Sequence, residues 1–424
     1  MEVTLNGYYT MILATLVLLL GRFFFYFIKF LEDFNIPEPV AGGLLAAVVV
    51  YALNFIWGYS FNFQQELQTA CMLMFFASIG LSADFGRLKA GGTPLLIFTV
   101  VVSAFIVIQD IVGVSMAALL GLDPLLGLVT GSIALTGGHG TAGAWGITLE
   151  QQYGVVGATT LGIAVATYGL VAGGVIGGQV ARRLINQLGV KPAAANPNPS
   201  ETERLAGKQS LYCTKHSEED VHRNKEIFEK PDNIRLITAS STIESLALFA
   251  AALAFADAMT VLGKGTWFDL PTFVWALAGG VIIRNVLTIV FDFHMFDRAI
   301  DVFGNASLSL FLAMALLSLK LWELTDLAGP VLIILVVQTL VMIAYVYFVT
   351  FRVMGKNYDA AVLSAGHCGF GMGATPTAIA NMQAVTDRYL ASPKAFLIVP
   401  MVGAFFVDII NATVLQIFIK LPFM

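Results

Sequence analysis

Long apolar stretches with few charges recur along the chain, separated by short polar or Gly- and Pro-bearing turns. They fall at 8–30, 39–57, 70–86, 94–118, 154–180, 236–262, 270–290, 304–320, 329–353 and 394–420. About 20 mostly apolar residues cross the hydrocarbon of a bilayer, so each stretch predicts a transmembrane helix, ten in all. Two further stretches, 123–150 and 357–386, are apolar but broken by Gly, Pro, Thr and His. Before the first stretch only Glu2 is charged, and no small-residue cleavage site follows it. That predicts a retained helix rather than a removed leader.

The two halves resemble each other. Residues 70–101 align without gaps to 306–337, with 11 of 32 positions identical, among them Ala70, Phe75, Ala77, Leu81 and Pro94 with their mates. Pro37 and Pro271 keep nearly the same spacing. Each half holds five spans, and five is odd, so the second copy enters the membrane upside down. Inverted repeats are a device of secondary transporters, in which a site near the midplane is exposed to each side in turn. The expected fold is an all-α polytopic membrane protein of ten transmembrane helices in two inverted five-helix repeats, each with a re-entrant hairpin. The first repeat covers 1–181, a linker 182–235, and the second repeat 236–424.

Composition narrows the class. The chain is 57% hydrophobic and only 12% charged, with a mean hydropathy of +0.80. A soluble fold carries about twice that share of charge, so a soluble enzyme or a disordered chain is excluded. The net charge of −5 provides no basic surplus for nucleic acid. Cys71, Cys213 and Cys368 show no disulfide or zinc spacing. Lys and Arg are retained on the cytoplasmic side. Placing both termini outside puts all but Lys264, Lys320 and Lys420 of the 23 basic residues inside. The 182–235 segment, with its Arg182-Arg183 start and its Pro-rich centre, reads as a flexible cytoplasmic tether. Arg22 and Arg284 lie near inner span ends, where snorkelling is expected.

The two Gly-rich stretches occupy the same place in each half, between the fourth and fifth spans. The first runs Ser132-Ile-Ala-Leu-Thr136-Gly137-Gly138-His139-Gly140-Thr141, the second Ser364-Ala-Gly366-His367-Cys368-Gly369-Phe-Gly371-Met-Gly373-Ala-Thr375-Pro376-Thr377. Glycine at this density breaks a helix, and broken backbone at membrane depth is tolerated only beside protein or a water-filled cavity. Both are therefore expected to be re-entrant hairpins with tips near the midplane. Their amides can hold a carboxylate, and their freed carbonyls can coordinate Na⁺. Small residues also permit close helix packing, the reading that better fits Ala172–Gly178. Charges within spans mark function. Asp408, mid-span with Asn411 one turn later, is the first choice of carboxylate for Na⁺ or an ammonium group. Glu244 and Asp110 lie nearer span ends, and Asn305 with Ser307 form a lesser candidate pair.

Several long motifs resemble one family: IPEPVAGGLLAA (36–47), GLDPLLGLVTGSIALTGGHGTAGAW (121–145), GNASLSLFLAMALLSLKLWEL (304–324), GKNYDAAVLSAGHCGFGMGATPTAIANMQA (355–384) and VPMVGAFFVDIINA (399–412). They resemble the bacterial sodium/glutamate symporters, a family similar to the citrate symporters. The resemblance implies a homodimer in the bacterial inner membrane, with a scaffold domain and a mobile transport domain. It implies Na⁺-coupled uptake of L-glutamate, no enzymatic activity and no cofactor beyond Na⁺ as coupling ion. The expected substrate set is Thr136, Gly137, Gly138, His139, Gly140, Thr141, Gly366, His367, Cys368, Gly369, Thr375 and Asp408. The expected sodium set is Ser132, Gly371, Gly373, Thr377, Asn305, Asp408 and Asn411. The nearest alternative is symport of another organic anion such as citrate. A channel lacks a filter motif here, and an intramembrane protease lacks catalytic spacing.

Overall fold

The computed structural model describes residues 2–28, 31, 37–85, 92–189, 237–266, 270–293, 295–318 and 327–421. Most of the expected linker, Cys213 and several of the basic residues used for orientation (Lys29, Arg87, Lys89 and Lys320 among them) lie outside these residues. The first half contains α1 (Gly7–Phe27), α2 (Glu38–Trp57), α3 (Gln65–Ser82) and α4 (Gly92–Leu119). There follow α5 (Pro124–Leu128), α6 (Gly138–Tyr153) and α7 (Ala158–Gln187). The second half contains α8 (Ala239–Gly263), α9 (Thr272–Phe291), α10 (Asp297–Leu317) and α11 (Ala328–Val353). It ends with α12 (Tyr358–Met372), α13 (Thr375–Thr386), α14 (Pro393–Met401) and α15 (Val407–Ile419).

The chain is thus a polytopic helical membrane protein. Eight of the described helices are long and apolar enough to span a bilayer alone. Of the ten expected spans, the two that fall short are α3 and the last. Helix α3 opens on Gln65, Glu66 and Gln68 and packs among α9, α10 and α8, so protein rather than lipid covers much of it. The last span is split by a π turn, Val402–Phe406, between α14 and α15. Further π turns lie at Val129–Ile133 after α5 and at Val346–Thr350 within α11. Helix α7 runs on to Gln187, so the stretch expected to open the linker at 182 is helical. The all-α expectation also acquires a short parallel ladder, Glu2–Thr4 with Ser60–Asn62, in register Glu2 to Ser60.

The helices sort into two groups. Helices α1, α2, α3, α8, α9 and α10 pack on one another, while α4 to α7 pack with α11 to α15. Glycine sets the spacing within the first group. A Cβ at Gly280 on α9 would lie 2.6 Å from the Ala77 carbonyl oxygen of α3, and Gly80 is as tightly placed against Leu277. On α2, Gly43 fits beneath Leu316 of α10 in the same manner. Small residues let backbones approach where no water drives helices together. Arg284, expected to snorkel, is instead only 4% exposed. It pairs with Asp297 and, at 3.2 Å, with Asp84, while Asn285 beside it donates to the Ala83 carbonyl at 2.8 Å. Desolvation leaves a buried guanidinium no option but such partners. Arg22 remains exposed beside Glu38, 3.7 Å away.

Gly280→Val would overpack the α3–α9 contact. Such changes cost about 1–3 kcal/mol. We expect a lower thermal midpoint in lipid nanodiscs, while Gly329→Val, with nothing within 4 Å, leaves the midpoint within error.

Candidate functional site

The two Gly-rich stretches meet. Helix α5 begins on Asp123, whose side chain accepts the Leu125 amide, with Pro124 in the first turn, where a missing N–H costs nothing. The backbone then breaks at Gly131, whose φ/ψ of −98°/−131° is not helical. Residues 134–137 turn into α6, with Gly138 at φ +65°, a conformation glycine adopts without strain. In the second stretch α12 stops at Met372. Gly373 leaves the helical conformation (φ/ψ −150°/−95°), Ala374 is extended, and Pro376 falls in the first turn of α13. Each stretch is therefore a pair of helical arms with a break between them.

Thr136 and Gly138 from the first break touch Gly371 and Gly373 from the second. The Thr136 hydroxyl lies 2.6 Å from Gln109 Oε1 and 3.1 Å from the Gly371 carbonyl oxygen. Gln109, on α4, donates through Nε2 to the same carbonyl at 3.1 Å. A Cβ on Gly138 would stand 3.2 Å from the Gly373 carbonyl oxygen. The Gln109 backbone carbonyl in turn accepts from Gln338 of α11 at 2.8 Å.

A second cluster lies at the start of the first break. The Ser132 amide donates to Asp110 Oδ1 at 2.9 Å, and the Ser132 hydroxyl lies 2.9 Å from Asp110 Oδ2. The same hydroxyl lies 2.6 Å from Asn411 Oδ1 of α15, and Asn411 Nδ2 donates to the Ser132 carbonyl at 3.1 Å. Asp110, Ser132 and Asn411 are all completely buried.

The remaining expected residues are spread more widely. His139 Nε2 lies 3.0 Å from the Thr167 hydroxyl of α7. Gly140 packs under Phe75, 2.6 Å from the position of a Cβ, and Leu308, while Gly137 is closed in by Thr141. Gly366, His367, Cys368 and Gly369 sit on the shaft of α12. Gly366 packs on Val399, and Gly369 against Ala378 of the returning arm. His367 Nδ1 lies 2.9 Å from the Thr350 hydroxyl, inside a ring of Phe98, Phe105, Tyr345 and Phe370. Cys368 is wholly buried. Thr375 adjoins Gly403, and the Thr377 hydroxyl is buried without a hydrogen-bond partner. Asp408 is half-buried and has no hydrogen-bond partner among the described residues, whereas Asn305 is exposed on α10. Gln109, Gln338 and Asp110 were not in the expected sets, whereas Ser132, the partner of Asp110, was. Their signal was the adjacent Gln109-Asp110 pair inside the otherwise apolar α4.

Between the two helix groups the contact is mostly apolar. On α6, Gly140 and Gly143 face Phe75, Leu308 and Phe311, and Trp145 meets Phe273 edge-on at 5.5 Å. At one end the groups part around a cavity of about 410 Å³, lined by Gln65, Gln68, Thr69, Glu150, Gln151, Thr159, Thr160 and Ser318 among others.

A family model described as "Sodium/glutamate symporter" matches residues 3–391. A sodium/glutamate symporter of Haemophilus influenzae is 50% identical over 417 residues, covering 98% of both chains. One of Escherichia coli strain K12 is 51% identical over 415 residues, covering 97% of both.

The Gly371 carbonyl has two donors in reach, so loss of either leaves the other. Gln109→Leu and Thr136→Val are each expected to cost about 1 kcal/mol. The double variant orphans the carbonyl and should lose about 1–3 kcal/mol beyond their sum, read from unfolding in detergent. A strictly additive double would show that the carbonyl is not shared.

Proposed function

The chain belongs to the sodium/glutamate symporter family, and we propose that it carries L-glutamate with Na⁺ by alternating access at the meeting point of the two broken stretches. It is a transporter and not an enzyme, a multi-pass protein of the bacterial inner membrane, with Na⁺ as its coupling ion. The single observation that carries the mechanism is the contact of Thr136 and Gly138 with Gly371 and Gly373.

In this reading ten spans form two inverted repeats, each with a re-entrant hairpin. The paired close approaches support the symmetry: Gly80 on Gly280, and Gly43 on Leu316, are near mates at the repeat spacing. Spans α1–α3 and α8–α10 are the scaffold. The hairpins with α4, α7, α11 and α14–α15 are the moving part. Two features of the seam favour sliding. It is mostly apolar, and the α6 side presents glycines to scaffold rings, so displacement breaks few directional bonds. With the termini periplasmic and the 182–235 segment cytoplasmic, the cavity opens on the periplasmic side.

The substrate carboxylates would lie against the amides of 136–141 and of the Gly366–Thr375 stretch. Within that set, Thr136, Gly137 and Gly138 stand closest to the second tip, and His139 and Thr141 flank them. His367 and Cys368 would act through the shaft that positions the tip. Na⁺ would be drawn to the oxygens around Ser132 and Asn411 and to the carbonyls near Gly371, Gly373 and Thr377. Asp408, without a bonded partner, would face the ammonium group or a second ion. Inward movement of net positive charge gains about 2.3 kcal/mol per charge at 100 mV. A homodimer fits the exposed apolar Ile243, Leu246, Val261 and Leu262 of α8, which the scaffold does not cover.

Proteoliposomes loaded with purified protein should accumulate labelled L-glutamate only under an inward Na⁺ gradient. Unlabelled L-glutamate should compete and citrate should not. Uptake indifferent to Na⁺, or strongest for citrate, would overturn the reading. The moving-part assignment has its own measurement. Cysteines replacing Phe75 and Gly140 in a cysteine-free background, once cross-linked, should stop transport until reduced. Undiminished uptake in the cross-linked protein would rule out sliding at this seam.

A further inference from the structure

Asp110 is a buried carboxylate without a cation. It is 0% exposed, and its hydrogen bonds come from the Ser132 amide and hydroxyl alone. Among the described residues no Lys, Arg or His pairs with it. A lone buried anion is costly unless a countercharge accompanies it.

The bonding around Ser132 has a matching fault. One hydroxyl carries one hydrogen, yet it faces two acceptors, Asp110 Oδ2 at 2.9 Å and Asn411 Oδ1 at 2.6 Å. Turning the Asn411 amide over does not help. It would set the amide oxygen against the Ser132 carbonyl oxygen, now 3.1 Å from Nδ2. With Asp110 ionised, one acceptor is left facing an oxygen with no proton to offer, whichever way the Asn411 amide is drawn.

A proton on Asp110 would relieve both faults by donating to the Ser132 hydroxyl, and so would a small hard cation. Such ions favour clustered oxygen ligands of carboxylate, carbonyl and hydroxyl type. We propose that Asp110, Ser132 and Asn411 form the coupling Na⁺ site, with the Asp110 carboxylate neutralising the ion. This rests on the Na⁺-symport reading above and names the carboxylate within it. The three groups come from three separate segments, α4, the break at Gly131 and α15. An ion here fastens the first hairpin to both neighbouring spans. Ser132 lies one helical turn before Thr136, so the ion orders the turn that reaches Gly371. Coupling follows, because the tip facing the substrate is set only when the ion is in place.

The test uses full-length protein in nanodiscs and proteoliposomes, with NaCl against choline chloride. The readouts are the Na⁺-induced rise in thermal midpoint and the Na⁺ concentration for half-maximal L-glutamate uptake. Asp110→Asn should lose the Na⁺-induced rise and raise the half-maximal Na⁺ at least tenfold. Ser132→Ala keeps the backbone bonds and removes one ligand oxygen, and should raise half-maximal Na⁺ about tenfold. A merely structural Asp110 would lower the midpoint in choline and leave the Na⁺ increment intact, and that result overturns the proposal. So does wild-type Na⁺ dependence in Ser132→Ala, which decides the matter if Asp110→Asn does not fold. Wild-type protein without Na⁺-dependent uptake would instead remove the symport reading itself.

Discussion

A helix broken inside a membrane exposes amides and carbonyls that no lipid can satisfy, and the rest of this structure depends on where those groups find partners. The Gly371 carbonyl is met by Gln109 and Thr136, and the Ser132 carbonyl by Asn411. Each of these donors comes from another segment than the break it serves. The breaks are therefore stable only while α4, α11 and α15 surround them. This ties local backbone irregularity to the architecture, since the breaks keep their partners only while the surrounding helices stay packed on them.

Close packing follows from the same demand. Gly169 of α7 lies so near the Met372 carbonyl that a side chain there would overlap it, and Asn381 reaches back to the Gly173 carbonyl at 2.9 Å. Ala172–Gly178, read as a packing stripe, serves this purpose where Gly173 and Gly177 approach α12 and α13. The first helix group is held differently. Its contacts are glycine-spaced apolar faces, fastened at one end by Arg284 between Asp84 and Asp297. One group is knit by polar bonds to broken backbone, the other by dispersion and one buried ion cluster.

Much of this was legible in the chain. Apolar runs located most helix ends to within a few residues, because a bilayer demands length and hydropathy from any segment that faces it, though α7 ends and α10 begins seven residues beyond its run. Two of the ten expected spans, at 70–86 and 394–420, are not long apolar helices by themselves, since α3 is largely covered by protein and the last is divided by a π turn. Glycine clustering located the two breaks, and Ser132 with Asn411 was expected among the ion ligands. What the sequence could not convey was which face of a span points inward. Asp408 looked central by position, yet Asp110 is the carboxylate bonded to Ser132. His367 looked like part of a tip, yet it stands among aromatic rings on the shaft of α12. The run Val402–Phe406 is uniformly apolar, and nothing in such a run announces a wider helical turn.

That wider turn has a consequence in the arithmetic of helix phase. A π turn holds one residue more than the α-helix around it, and one residue is about 100° of rotation. Everything after Phe406 is turned by that amount against the helix begun at Pro393. Asn411 owes its aim at Ser132 to this offset. The phase of the face that carries Asn411 is therefore counted from Phe406 and not from Pro393.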